Sequence, residues 1–530
     1  MTDDRPPERQ GDGPAGGTTD GPAGGSVDRT TPGIAGIGAY TPRLRVTAET
    51  FREAWGRFEA SGIERKAVPE ADEDALTMGA EAARRALAAA GRDGRAVRYL
   101  AFATTTPPVE EEDLTPRLAS VLGAPGDVTT QTHTASTRAG GQALAAALAA
   151  GPREGVGLVV ASDCPRGAPD SEHDHAAGAG AAALVLGEGP GSVRDSATAV
   201  EPYPGTRFRP AGERETTGLG VAPYDRSAFT SVLGEAAAAL SGQGVDAAAV
   251  QSPDGDLPSR AADALGVSEA AVAAAETVST VGDAGAASAF LGLTAAVADG
   301  AERVVVATFG SGAGATVFLV DCAGVPVEAA LAGDRELSYA EYLRRRGVVT
   351  GGEPAGGGAY VSVPSWRRTL PQRHRLVAGR CPACGALNLP PSGACRACAD
   401  RSGEYESVTL PGTGTVKAAT TIAQGGAPPE FVEQQARSGP FVSAIVAFDG
   451  PDGDETVSLP VQMLAAGEVD DGSAAAGGSA SGDDVDGDDA DGHDARGLVG
   501  TPVEATVRRI YEQEGVVRYG VKVQPVGAQR

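Results

Sequence analysis

Lysine is almost missing. Only Lys66, Lys417 and Lys522 occur among 44 basic residues, set against 70 acids and a net charge of -26. Such a balance repels nucleic-acid phosphates and anionic membranes unless a local basic patch intervenes. An acidic, lysine-poor surface suits a salt-saturated cytoplasm, where screening tames self-repulsion, and it points to a halophilic, archaeal source. Long apolar runs are also lacking. No stretch of about 18 uncharged apolar residues is present, and the first residues are polar, so neither a membrane span nor a signal peptide is expected and a cytoplasmic location follows. Aromatics make up 4% and histidines number five. Cysteines are few, six in all, and four of them cluster, which favours a metal over disulfides.

The 530 residues exceed one small core and imply about two to four domains. Residues 1–31, rich in Gly, Pro, Asp and Thr without apolar periodicity, read as a disordered tail. From residue 32 to about 350, β-prone runs alternate with helical ones. Expected elements are helices at Ala48–Ala60, Ala75–Ala90 and Gly141–Ala150, and strands at Val97–Thr104 and Val156–Ser162. The pair Val156–Ser162 and Gly178–Leu186 recurs as Arg303–Phe309 and Gly312–Val320, which signals a duplicated α/β unit. A helical piece, Leu337–Gly347, leads to a glycine-rich hinge at 351–358 inside a linker at 351–379.

Cys381-Pro-Ala-Cys384 and Cys395-Arg-Ala-Cys398 then form two knuckles, at 380–400, spaced to close a tetrahedral thiolate site on a structural Zn2+. Over 401–525 the runs Ser407–Thr420, Phe441–Phe448, Thr456–Leu464, Pro502–Ile510 and Val516–Val523 suit a five-stranded barrel of the OB type. Between its third and fourth strands, 467–497 carries ten acids and one arginine and reads as a disordered surface insertion.

The stretch Thr137-Arg138-Ala139-Gly140-Gly141-Gln142-Ala143-Leu144 follows a β-prone run and opens a helix. A side chain on such a turn is thrust out over the positive end of the helix dipole, a place for a nucleophile. The pattern resembles the elbow of the thiolase superfamily, in particular the 3-hydroxy-3-methylglutaryl-CoA (HMG-CoA) synthases, where Cys-x-Ala/Gly-Gly-Thr-x-Ala-Leu carries the acyl-thioester cysteine. The resemblance covers roughly Ile34 to Cys322 and extends to Ser338-Tyr-Ala-Glu-Tyr-Leu-Arg-Arg-Arg-Gly347. It implies a five-layer αβαβα core, a homodimer through that domain, and a coenzyme A thioester as ligand. The ribbon and barrel, with Leu389-Pro-Pro391 between the knuckles, resemble acyl-CoA-binding partners of thiolases.

Carried across one by one, the family's catalytic residues are replaced. Thr137 stands at the nucleophile position, Gln251 (in Gln-Ser-Pro-Asp-Gly) at the histidine, Asp283 (in Gly-Asp-Ala-Gly) at the asparagine, and Thr105 at the acidic residue. A threonine hydroxyl needs a strong adjacent base, and Gln251 cannot take a proton. The loop glycines Gly140, Gly141, Gly282 and Gly312 remain as candidate substrate-binding positions. The leading expectation is a degenerate relative that binds acyl-CoA or holds a thiolase and an HMG-CoA synthase together. The alternative is an acyltransferase using Thr137, Ser136 or Cys164, with His133 as a base for Thr137. A metal at His173 and His175, as alternating strand residues, and nucleic-acid binding through Arg367, Arg368, Arg373, His374, Arg375 and Arg380 rank lower.

Overall fold

The computed structural model describes residues 32–349, 363–422, 432–464 and 495–527, with short breaks at 152–153, 241–243, 402, 454 and 514. The expected tail at 1–31, the hinge at 351–358 and most of the insertion at 467–497 lie outside the described residues. Strand β1 (Gly33–Tyr40) leads, by way of the short helix Ala48–Trp55, to helix α1 (Ala75–Ala89). There follow β2 (Val97–Ala103), α2 (Thr115–Leu122), β3 (Thr129–His133), α3 (Ala139–Ala150), β4 (Val156–Asp163) and β5 (Gly180–Gly187). The second half holds β6 (Ser192–Tyr203), α4 (Ala222–Ala238), β7 (Ala247–Val250), α5 (Ser288–Ala298), β8 (Arg303–Gly310), β9 (Gly312–Asp321) and β10 (Val327–Ala330).

These strands form two sheets, in the orders β10-β1-β5-β4-β2-β3 and β6-β9-β8-β7. The repeat seen in sequence becomes a repeat of pairing. β4 lies parallel to β2 and antiparallel to β5, and β8 lies parallel to β7 and antiparallel to β9. The alanine-rich helices α3 and α5 sit between the sheets in one apolar core with Val159, Leu184, Val306 and Phe318. Helix α1 covers the outer face of the first sheet and α4 that of the second, which gives the αβαβα order. Small residues let these layers close. A Cβ on Gly38 of β1 would collide with the backbone of Ala82 and Ala86 in α1. Gly38→Ala is therefore expected to destabilise the fold by about 1–3 kcal/mol, read as a lower urea midpoint at unchanged slope.

Beyond the core, α6 (Tyr339–Arg345) starts in a capping box, in which Ser338 and Glu341 bond reciprocally. Two short helices, α7 (Val363–Arg368) and α8 (Leu370–Arg375), lead into the ribbon. Its strands are β11 (Val377–Arg380), β12 (Leu387–Asn388) and β13 (Glu406–Thr409). The sequence had Ser407–Thr420 as one barrel strand; the chain breaks it in two. Pro411 offers no N–H and Gly412 takes φ +91°, so β13 pairs with the ribbon while β14 (Thr413–Ile422) enters the barrel. The barrel closes in the order β14-β15-β16-β18-β17, with β15 (Phe441–Asp449), β16 (Thr456–Met463), β17 (Pro502–Gln513) and β18 (Val516–Pro525).

The barrel is fastened to the core by buried charges. The run Asp72-Glu-Asp74 precedes α1, with Asp74 capping Leu76 and Thr77. Lys522 Nζ donates to Asp72 Oδ2 at 2.6 Å, the Tyr519 hydroxyl to Asp74 Oδ2 at 2.7 Å, and Arg508 pairs with Glu73 at 3.2 Å. Val507, Val517 and Tyr519 join the same apolar cluster as α1. Two of the three lysines, Lys66 and Lys522, are fully buried, which leaves arginine to supply nearly all surface cations.

Candidate functional site: the turn at Thr137 and the loops around it

After β3 the backbone turns through Ala135 at φ +77°, and Arg138 begins α3 without a side-chain cap. That turn places Thr137 at the helix start between the sheets, 5% exposed. Its hydroxyl donates to the Phe309 carbonyl at the end of β8, at 2.7 Å. No hydrogen bond among the described residues joins Thr137 to His133, whose Nε2 is buried without a partner and whose ring is held neutral by burial. Gly140 and Gly141 face inward, where a Cβ would meet the Ala286 carbonyl and the Thr308 side chain respectively.

Gln251 follows β7 and is buried; its Nε2 donates to the Gly285 carbonyl at 2.8 Å. Asp283 lies in the next loop, after Gly282 at φ +79°. One carboxylate oxygen accepts from the Gly285 N–H at 2.9 Å, and the other is ion-paired with Arg207. Gly312 starts β9 at φ +119° with open space around its Cα.

The residue that ties these loops together, Asp163 at the end of β4, was not singled out from the sequence. It is fully buried, and its carboxylate accepts from six donors: the Thr104 hydroxyl, the N–H and hydroxyl of Thr105, the N–H and hydroxyl of Thr106, and the Ala286 N–H, all at 2.7–2.9 Å. The signal was a lone acid closing an apolar strand at its carboxyl end, where α/β sheets place their ligand sites. Asp163→Asn turns a donor toward this ring of donors and is expected to cost about 2–3 kcal/mol, seen as a lower urea midpoint.

Two arginines of the loop after β6 also escaped the sequence reading. Arg207 reaches Asp283, and Arg209 donates to the Thr105 carbonyl. Beside them Pro165, Arg166, His173, Thr216 and Asp283 line a cavity of about 10 Å3, room for about one water. His173 is lowered by burial and then by Arg207, so it is neutral. Cys164 touches the Thr106 hydroxyl at 3.8 Å, and burial pushes its thiol up to about 11. Cys322 sits in the core with its thiol at about 12 for the same reason.

The expectation that His173 and His175 alternate on a strand is corrected: both lie on a short helix, Glu172–Ala176. His175 accepts the Glu59 N–H at Nδ1 and stacks on Phe58 with ring centroids 5.0 Å apart. Among the described residues, the one group able to hold a metal is Cys381, Cys384, Cys395 and Cys398, with sulfurs all within 4.8 Å. The 3.8 Å from Cys381 to Cys398 and the 3.7 Å from Cys384 to Cys395 match the edges of a tetrahedron with metal–sulfur bonds of about 2.3 Å. The N–H groups of Cys398 and Ala397 lower the Cys395 thiol to about 6, toward the thiolate that zinc needs. The donor set fits Zn2+ in a closed structural site.

Two stacked sheets enclosing paired helices, with an elbow at the start of one of them, define a thiolase-like fold. Its relatives are specific. The chain is 31% identical over 303 residues to the hydroxymethylglutaryl-CoA synthase of Methanopyrus kandleri, covering 54% of this chain and 86% of that protein. It is 30% identical over 346 residues to the synthase of Pyrobaculum neutrophilum, covering 60% and 97%. This chain belongs to the hydroxymethylglutaryl-CoA synthase family. Among solved structures, MvaS in complex with 3-hydroxy-3-methylglutaryl coenzyme A superimposes with a TM-score of 0.52 at 19% identity, covering 62% of this chain and 94% of that one. An HMG-CoA synthase complexed with CoA gives 0.52 at 15% identity, covering 63% and 94%. Both show the shared fold. Residues 368–404 match the ChsH2 rubredoxin-like zinc ribbon domain. No helix among the described residues is long and apolar enough to cross a membrane.

Proposed function

We propose that this protein is a catalytically degenerate member of its family, which binds acyl-CoA and holds a thiolase or an active HMG-CoA synthase in a complex. The observation that carries the reading is the hydrogen bond from Thr137 to the Phe309 carbonyl. Acyl transfer needs the nucleophile's proton to pass to a base. Here it points at an amide oxygen, which is no base, and the family's histidine position holds the amide of Gln251. Asp283 and Thr105 are tied up by Arg207, Arg209 and Asp163, and the cavity beside them does not admit an acyl group.

Gly312, with nothing within 4 Å of where a Cβ would stand, would leave room for a thioester arm along its backbone, whereas Gly140, Gly141 and Gly282 are packed against Ala286, Thr308 and Ala176. Strand β3 closes one edge of the first sheet and exposes most of its side chains, the place for pairing with a second copy in a homodimer. Fusing ribbon and barrel to the core raises the effective concentration of two ligand-handling modules, which suits a scaffold. The overall negative charge works against nucleic acid as the partner. The acidic, arginine-based surface supports a halophilic source and a cytoplasmic site of action.

Acyl transfer through an unusual nucleophile is disfavoured, because the Cys164 thiol is at about 11 and no base among the described residues hydrogen-bonds to Thr137. The test is release of free CoA from acetyl-CoA and acetoacetyl-CoA in molar salt, beside calorimetric binding of the same thioesters. The expected result is binding without turnover. Turnover abolished by Thr137→Ala would overturn the reading.

A further inference from the structure

Away from the elbow, helices α7 and α8 pack between α2 and the β17–β18 hairpin, and in this seam Arg518, Arg375 and Arg373 have no ion-pair partner among the described residues. Arg518 of β18 is 6% exposed and has no carboxylate partner among the described residues. Its guanidinium lies 4.1 Å from the Trp366 ring centroid, and its Nε has no acceptor. His374 is 4% exposed; its Nδ1 is 2.9 Å from the Ser120 hydroxyl, and its Nε2 is buried without a partner. Of the two tautomers, the one in which Ser120 donates to Nδ1 leaves the ring proton on Nε2 unmet. Trp366 Nε1 and Arg375 Nε are buried without acceptors as well.

Arg375 lies over Gly123 at the carboxyl end of α2, a favourable place for a cation, yet it forms no ion pair among the described residues. Burial and then Arg117, Arg375, Arg373 and Arg84 push His374 down to about 4, so these charges converge on one ring. Arg117 is neutralised by Glu112 and also donates to the Val517 carbonyl, which links the ring's surroundings to the strand bearing Arg518. Arg84 is matched by Glu81, while the Arg373 side chain donates, among the described residues, to the Thr369 hydroxyl alone.

Each buried N–H left unmet costs free energy, and a buried guanidinium without an anion costs more. In a chain with 70 acids to 44 bases, Glu112 and Glu81 serve Arg117 and Arg84, and no described acid pairs with Arg518 or Arg375. Donors approaching from two helices and a strand suit a tetrahedral anion with several acceptor oxygens, and guanidinium forks favour phosphate. We propose that this seam binds one phosphate group, free or borne on an adenosine phosphate ester, through Arg518, Arg375, the His374 Nε2–H and the Trp366 Nε1–H. The inference is independent of whether the elbow is catalytic.

The test is calorimetry of the full-length, zinc-loaded protein with inorganic phosphate and, separately, adenosine 3′,5′-bisphosphate at fixed chloride. The unsubstituted protein is compared with Arg518→Gln and Arg375→Gln. At least one anion is expected to bind, about tenfold or more weakly in each variant. Binding of both at similar strength assigns a free anion, and binding of the bisphosphate alone assigns an ester. If Arg518→Gln does not fold, the half-buried Arg375→Gln decides. No binding of either anion at millimolar concentration, or binding unchanged in the folded variants, would overturn the proposal.

Discussion

Replacing Cys395 with serine is expected to abolish zinc binding, lowering the metal content from one ion per chain to none, and to unfold the ribbon. The magnitude follows from what holds that segment. Its β-structure is limited to the short strands β11, β12 and β13. Structural zinc in such knuckles contributes about 10–16 kcal/mol of apparent binding energy near neutral pH, and much of that is folding energy. The Asn388 amide donates to the Cys395 sulfur at 3.5 Å while its oxygen accepts the Arg396 N–H at 2.9 Å, so the second knuckle is organised around that thiolate. The effect should spread. Leu387 and Leu389, between the knuckles, belong to the apolar cluster of the barrel together with Val446 and Phe448. Metal analysis with limited trypsin digestion reads both consequences, with early cleavage at Arg396 and Arg401. A folded, trypsin-resistant variant without metal would refute the structural role.

The second large effect belongs to the clamp between core and barrel. Asp72→Ala leaves Lys522 buried without its carboxylate, while Arg508 keeps Glu73, and is expected to destabilise the protein by about 3–5 kcal/mol. Burial pushes Asp72 up, but Lys522 and Arg508 outweigh it and hold the carboxyl below its usual range. Burial lowers Lys522 against the attraction of Asp72. The pair is ionised at a desolvation cost, so its loss and its replacement differ. Asp72→Leu with Lys522→Met removes both charges together and is expected to recover most of the loss. Urea denaturation of the two variants at fixed salt makes the comparison. Equal loss in the single and double variants would show that the site acts through packing alone.

What could be read from sequence was what is local. The helix behind Thr137, the repeated hairpins and the cysteine knuckles depend on periodicity or spacing within a few tens of residues, and each lies where those patterns put it. Even the split at Pro411-Gly412 carried a local signal, a missing N–H followed by a residue free to take positive φ. The partners of Asp163 lie up to 123 residues away, those of Arg207 and Arg209 76 and 104 away, and those of Lys522 450 away. No periodicity encodes such pairings. The turn at Thr137 was legible because it sits among glycines and alanines that suit a strand-to-helix turn. That Arg207 and Arg209 reach Asp283 and the Thr105 carbonyl was not, because arginines in an irregular loop look like any solvated pair.

On the proposed reading, the turn at Thr137 takes up no acyl group. Intact-protein mass spectrometry after incubation with acetyl-CoA and acetoacetyl-CoA in molar salt, with peptide mapping of any adduct, tests it most directly. An unmodified mass, with thioester binding detected by calorimetry, is the expected result. An acyl adduct mapped to Thr137, Ser136 or Cys164 would contradict it.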